Sequence, residues 1–436
     1  MNRKFPYVKL KELCDVNQGL QIPINERFTE NAPNRYFYIT VQFLKTSHSN
    51  KFYIENPPVS SICNEDDILI VRTGSTGQIV TGVSGCFHNN FFKVNFNKAV
   101  INGRYLYHCL NTKEKYKEML RRAGVTTIPD LNHFMFLDME IPVPEKKIQI
   151  QIAKTLDYLD SKIELNNRIN AELEAMAKTL YDYWFVQFDF PVVTSSGVEK
   201  PYKTSGGKMV WNEELKREIP EGWEVGSLLN LGEIIGGSTP PREVKEYFTQ
   251  NGTAWITPKD LSMNRNNKFI SNGELDVSDK GVKAASLNVM PIGTIMLSTR
   301  APIGYLAISR KEVTTNQGFK SFVPNKGYST EYIYYTVKNL IPTIENNAVG
   351  STFKEISATT LKSLPIFLPK MEIMESFTKK TQSIFQRQNL LELENIKLTE
   401  LRDWLLPMLM NGQVTVNQAK EYTLPNETLS MVAEGE

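Results

Sequence analysis

The chain repeats itself. At an offset of 225 residues, TTIPDLNHFMFLDMEIPVP (Thr126 to Pro144) lies over STFKEISATTLKSLPIFLP (Ser351 to Pro369), and the register holds from Thr126 to Trp184 without a gap. Earlier pieces match at nearby offsets. ILIVRTGSTG (Ile68 to Gly77) lies over IMLSTRAPIG (Ile295 to Gly304), and YVKLKELCDVNQG over VGSLLNLGEIIGG about 218 residues apart. A period above 200 residues is too long for a solenoid; it marks a duplicated domain, with two similar surfaces free to vary separately. Each copy closes on a short apolar run, Ile141 to Pro144 or Ile366 to Pro369, and then enters nearly forty residues free of Gly and Pro. The repeated unit is a domain followed by a long helix.

Between Lys146 and Trp184 apolar residues recur every seven positions in two columns: Ile152, Leu159, Leu173, Leu180 and Leu156, Ile163, Ala177, Trp184. That spacing is a coiled-coil seam. Asn166 and Asn170 interrupt it, and an asparagine in a seam costs stability while fixing register. In the second copy one column stays apolar (Phe377, Ile384, Leu391, Leu398, Leu405), while the other reads Thr381, Gln388, Asn395, Arg402, Leu409. A helix over 146–184 is a rod of about 58 Å, far longer than an ordinary globular helix. We expect the two helices to pair through Ile152, Leu159, Ile163, Asn170, Leu173, Leu180 and Trp184 against Ile384, Leu391, Asn395, Leu398 and Leu405. Ile169, Met176, Tyr181, Leu401 and Trp404, off or beside the seam, are left for other chains.

A length of 436 residues with 41% hydrophobic and 10% aromatic content supports two or three real cores. No apolar run approaches the roughly 18 to 20 residues that span a bilayer, and MNRKFPYVKLKE has no signal-peptide core, so a cytoplasmic protein is expected. Cys14, Cys63, Cys86 and Cys109 all fall in the first copy, which excludes a disulfide framework common to both and points to reduced thiols. Residues 1–145 carry a net +3, 221–369 a net +2 and 412–436 a net −3. Such mild basicity supports phosphate contact only weakly.

Several catalytic patterns fail on chemistry. Asn56-Pro57-Pro58-Val59 imitates the loop that holds a flipped adenine in amino methyltransferases, but Val59 cannot stack on a base, and no glycine-rich cofactor loop precedes it. Asp130 with Glu145, Lys146 and Lys147 imitates a nuclease metal set, yet Glu145 follows Pro144 at a helix start, where the helix dipole favours an acid anyway. Gly206-Gly207-Lys208 runs into Met209, not the Ser or Thr of a phosphate loop. The histidines (His48, His88, His108, His133) and cysteines match no zinc spacing, so no metal is expected.

The polar loops are better placed. Arg72-Thr73-Gly74-Ser75-Thr76-Gly77-Gln78 corresponds to Thr299-Arg300-Ala301-Pro302-Ile303-Gly304, and His88-Asn89-Asn90 to Thr315-Asn316-Gln317-Gly318. Arg121-Arg122 through Thr126-Thr127 corresponds to Asn346 through Ser351-Thr352, with Lys354 just beyond. Arg, Asn, Gln, Ser and Thr read base edges and phosphates, but Gly, Asn and Ser are also plain turn formers, and the residues alone leave both readings open.

WFVQFDFP (Trp184 to Pro191), KPY (Lys200 to Tyr202), GGKMVW (Gly206 to Trp211) and IPEGW (Ile219 to Trp223) resemble the central region of the specificity subunit of type I restriction-modification enzymes. GGSTPP (Gly236 to Pro241), WITPKDLS (Trp255 to Ser262), STRAPIGYLAI (Ser298 to Ile308) and TNQGFKSF (Thr315 to Phe322) continue the likeness over nearly the whole chain. The resemblance implies an α+β fold of two globular target-recognition domains, each followed by a long helix, with the helices pairing as an antiparallel coiled coil. The expected parts are a first recognition domain (1–145), central helix (146–186), linker (187–220), second recognition domain (221–369), C-terminal helix (370–411) and acidic tail (412–436).

It further implies that each domain reads half of a split double-stranded DNA target. The candidate contacts are Arg72, Thr73, Ser75, Gln78, Asn89, Asn90, Arg121, Arg122 and Thr126 in the first domain, and Arg300, Asn316, Gln317, Ser351 and Lys354 in the second. The helices dock two methyltransferase subunits, two motor-nuclease subunits join them, and S-adenosylmethionine, ATP and magnesium belong to those partners. No cofactor, catalytic residue or membrane contact is expected of this chain. The alternatives are the recognition part of a methyltransferase or nuclease of another restriction class, or a protein scaffold without DNA contact. HNN in the first copy departs from TNQG in the second, which makes transfer of a role to Asn89 and Asn90 less direct.

Overall fold

The structure is a computed structural model that describes residues 5–45, 51–124, 129–193, 197–300, 302–350 and 354–423. It divides into two compact units, residues 1–164 with 396–436, and residues 165–395.

In the first unit the apolar run Ile68–Val71, buried at every position, lies inside a four-stranded antiparallel sheet ordered Cys14–Gln18, Phe91–Phe96, Ile68–Val71, Ile79–Val80. A buried strand loses the usual polar alternation because both its faces are covered. A second sheet orders Tyr53–Glu55, Arg35–Ile39, Gly85–Phe87, Ile62–Cys63, with a parallel pair in register Ile39 to Phe87. Tyr7–Lys9 pairs with Glu140–Pro142, so the domain closes where it begins. Helices Gly103–Leu110 and Lys113–Ala123 start where Asn102 and Thr112 accept the N–H groups of Tyr105 and Lys115.

The second unit repeats this plan. Glu233–Gly236, Phe319–Val323, Ile295–Thr299, Ile303–Ser309 and Phe269–Ile270 form one sheet. Phe248–Thr249, Leu275–Val277, Thr253–Ile256 and Val313–Thr315 form the other, with a parallel pair in register Ile256 to Thr315. Glu224–Ser227 pairs with Pro365–Leu368. The folded repeat explains the repeated sequence: the same strand pairs close the domain each time.

Helix α1 covers Lys146–Tyr181 and continues as a π-helical turn over Asp182–Val186; helix α2 covers Met371–Met410. Within the second unit Asn166 donates to Glu394 and Asn395, Gln388 to the Asn170 carbonyl oxygen, and Trp184 packs on Phe377. Partner numbers on α2 fall as those on α1 rise, so the helices are antiparallel. In the first unit Leu156 and Leu159 share a core with Leu405 and Leu409, and Arg402 meets Asp160 at 3.0 Å. Ile152, Leu159, Trp184, Leu391 and Leu405 are buried, while Ile163, Asn170, Leu173, Leu180, Ile384, Asn395 and Leu398 are half-buried. Asn166 is fully buried. Tyr181, expected to face outward, is instead buried between Phe185, Tyr332 and Tyr335 in the second core.

The segments read as a linker and an acidic tail contain folded elements among the described residues. Residues 187–220 form the hairpins Pro191–Val193 with Glu199–Pro201 and Met209–Asn212 with Arg217–Pro220. They are anchored because Phe190 stacks between Tyr202 and Trp223, and the buried Asp189 carboxylate accepts the Thr204 amide and hydroxyl. Part of the acidic tail is a helix, Val416–Thr423, whose Val416 and Ala419 enter the first core. Thr415 and Gln418 exchange hydrogen bonds at its start, as in a capping box.

Candidate nucleic-acid interface

In the second unit a tight turn follows Val313–Thr315. The Asn316 side chain accepts the Gly318 amide, and Thr299, at the end of its strand, donates its amide to the Gly318 carbonyl oxygen. The loop after Glu233–Gly236 lies directly on this turn. A Cβ on Gly237 would stand 2.1 Å from the Asn316 carbonyl oxygen and 2.3 Å from that of Thr315, so only glycine fits. Ser238 donates its amide to Thr315, its carbonyl oxygen accepts the Trp255 indole N–H, and Thr239 hydrogen-bonds the exposed Gln317 side chain. GGSTPP and TNQG are therefore two sides of one contact.

The first unit builds the same object from different residues. His88 Nδ1 accepts the Asn90 amide, Arg72 donates its amide to the Asn90 carbonyl oxygen, and a Cβ on Gly19 would stand 2.2 Å from the Phe87 carbonyl oxygen. Asn89 Nδ2 donates to Gln21 Oε1 at 2.9 Å. These bonds align His88 with Asn316, Asn89 with Gln317 and Asn90 with Gly318. Asn316, His88 and Asn90 are the framework of their turns; Asn89 and Gln317 are the apex side chains.

The remaining candidates divide by what already holds them. Arg72 forms a two-pronged pair with Asp130 at 2.5 and 2.7 Å, and the guanidinium holds that carboxyl below its ordinary range. Arg122 is engaged by Glu118 and Asp138. Thr73 and Ser75 are half-buried in a loop closed by bonds between Val71, Gly77 and Gln78, whereas Gln78, Arg121 and Lys354 are exposed. Arg300 is about half exposed and 3.9 Å from Glu355. Thr126 and Ser351 lie outside the described residues.

Arg300, Asn316 and Gln317 line one cleft of about 800 Å³ with Arg242, Lys245 and Lys259, and with Asp260 and Glu274, the latter paired to Lys259. Sequence reading passed over these last three cations, and over Gln21 and Thr239; the offset of 218 that aligns Gly19 with Gly237 also aligns Gln21 with Thr239. A groove of about 980 Å³ in the first unit is lined by Glu65, Asp66, Asp67, Asp160 and Glu164 beside three cations, a poorer match for phosphate.

Each globular part is fastened to the helices by charged side chains, buried in the second unit and partly exposed in the first. In the second unit Glu174 of α1 meets Lys268 at 2.6 Å and Lys338 at 2.5 Å, and Gln388 of α2 accepts from Lys268. Burial pulls the Lys268 ammonium down to about 8, while the two lysines, overriding burial, hold Glu174 at about 2. Glu392 of α2 accepts the amides of Lys268 and Phe269 and the Arg310 guanidinium. In the first unit Asp157 takes Arg104 and His108 at 2.6 and 2.8 Å.

Among the described residues no group of three or more His, Cys, Asp or Glu is arranged to hold a metal, the four cysteines are free thiols, and no helix is long and apolar enough to cross a membrane.

Two copies of one α+β domain, each carrying a clamped polar turn and packed on a long helix, define a tandem-domain class of protein. The type I restriction modification DNA specificity domain matches residues 2–175 and 220–401, and the chain belongs to that family. It is 38% identical over 212 residues to the MjaIX specificity subunit of Methanocaldococcus jannaschii, a match spanning 46% of this chain and 48% of that subunit. It is 28% identical over 372 residues to the HindI specificity subunit of Haemophilus influenzae, spanning 74% of this chain and 80% of that one. The S subunit of a type I restriction-modification system from M. genitalium shares the fold, with a TM-score of 0.59 at 16% identity over 94% of this chain and 97% of that one.

Proposed function

We propose that this chain supplies the DNA sequence specificity of a type I restriction-modification complex. Each unit reads one half of a split double-stranded target, and the helix pair docks two methyltransferase subunits, with two motor-nuclease subunits joining that core. Methyl transfer, ATP hydrolysis and cleavage take place on those partners, which bind S-adenosylmethionine, ATP and magnesium. The observation that carries the reading is the duplicated turn: one backbone construction is kept twice, while its apex changes from Asn89 to Gln317. Constant framework with a varied polar tip suits two readers of different bases.

The purified chain given DNA with S-adenosylmethionine, or with ATP and magnesium, should show no turnover. Adding the methyltransferase subunits of its system should produce sequence-specific DNA binding and methylation. Robust turnover by the chain alone, or assembly without sequence preference, would overturn the reading.

A further inference from the structure

The loops that press on the two turns also hold their apex side chains. Two residues beyond each close-approach glycine stands the residue that bonds the apex: Gln21 accepts from Asn89 at 2.9 Å, and Thr239 donates to Gln317. A carboxamide on a free side chain rotates broadly about its last torsion and presents donor and acceptor by turns. Here that freedom is removed in both units, by different chemistry. The Asn89 bond uses its amide nitrogen as donor, whereas the Gln317 bond uses its oxygen as acceptor. Neither bond closes the turn, which His88 and Asn316 already do.

Resting on the DNA-reading function above, we propose that Gln21 and Thr239 are positioning residues that orient the base-reading carboxamides of Asn89 and Gln317, each within its own half-site. The second half-site thus depends on a hydroxyl that need not touch DNA. Backbone affinity for phosphate is left to Arg242 and Lys245 of the cleft.

The test uses the assembled methyltransferase complex, with binding measured against the cognate duplex and duplexes carrying single base-pair changes across each half-site. Thr239→Val removes the hydroxyl and keeps the side-chain shape; discrimination at one position of the second half-site should fall roughly tenfold. Discrimination in the first half-site and the salt dependence of binding should stay as in the unaltered complex, which also certifies that the variant is folded. Thr239→Ser should restore discrimination, and Gln21→Leu should produce the mirror loss in the first half-site only. The proposal is overturned if Thr239→Val keeps full discrimination, if it weakens binding to all duplexes alike, or if Thr239→Ser does no better than valine. Absence of sequence preference in the unaltered complex would instead remove the DNA-reading function itself.

Discussion

The Lys268 ammonium lies 2.6 Å from the Glu174 carboxylate of α1, with only 3% of the lysine side chain exposed. Lys338 and the Tyr335 hydroxyl bind the same carboxylate. Removing one partner of a buried pair strands the other charge, so Glu174→Ala should destabilise the protein by about 3 to 5 kcal/mol in urea unfolding. Lys259 and Glu274 also meet at 2.5 Å, but both are about two-thirds exposed. Lys259→Ala should therefore leave the urea unfolding midpoint nearly unchanged.

Glu174 also sets an acid limit. Its folded pKa is depressed to about 2 from an ordinary 4.5, so its contribution is complete above pH 4.5 and is lost as pH falls through the folded value. Stability should decline between roughly pH 4.5 and 2 by about 3 kcal/mol from this group. Unfolding free energies of the protein and of Glu174→Gln across this range measure it. The variant curve should be flatter, and parallel curves would refute the assignment.

Gly237→Ala places a Cβ 2.1 Å from the Asn316 carbonyl oxygen. Either the loop or the turn must move, at a cost of roughly 1 to 3 kcal/mol. Methylation should be lost through the second half-site, while binding to the first keeps its preference. Alanine at Gly82, which has nothing within 4 Å but a φ of 72°, should strain the backbone without touching either turn.

Arg72 and Arg300 should behave differently although both begin equivalent loops. Arg72 is held by Asp130 in a two-pronged pair, whereas Arg300 is only 3.9 Å from Glu355 and about half exposed. Arg300→Ala should lower the salt slope of DNA binding by about one phosphate contact. Arg72→Ala should leave that slope unchanged and weaken first half-site preference by loosening the loop.

The duplication, the two helices and the polar turns are legible in the sequence because each leaves a periodic trace. What is not legible depends on partners brought together by folding. The two-pronged pair of Arg72 with Asp130, far along the chain, leaves no trace in the sequence. Nor does the sequence show that the Asn316 side chain closes its own turn on Gly318. Residues 187–220 read as a linker because short hairpins with little alternation give no strand signal; their order comes from Phe190, Tyr202 and Trp223 stacking. Thr239 is hidden because a lone threonine in a Pro-rich loop carries no pattern until it lies under Gln21 in the repeat.

The central claim, two independent readers in one chain, is tested most directly by the positions of methylated adenines in the genome of cells whose copy has residues 1–145 replaced by the matching domain of a relative. Independent sites contribute additively. The account predicts a new first half-site beside an unaltered second one. An unchanged motif, or one altered in both halves, would contradict it.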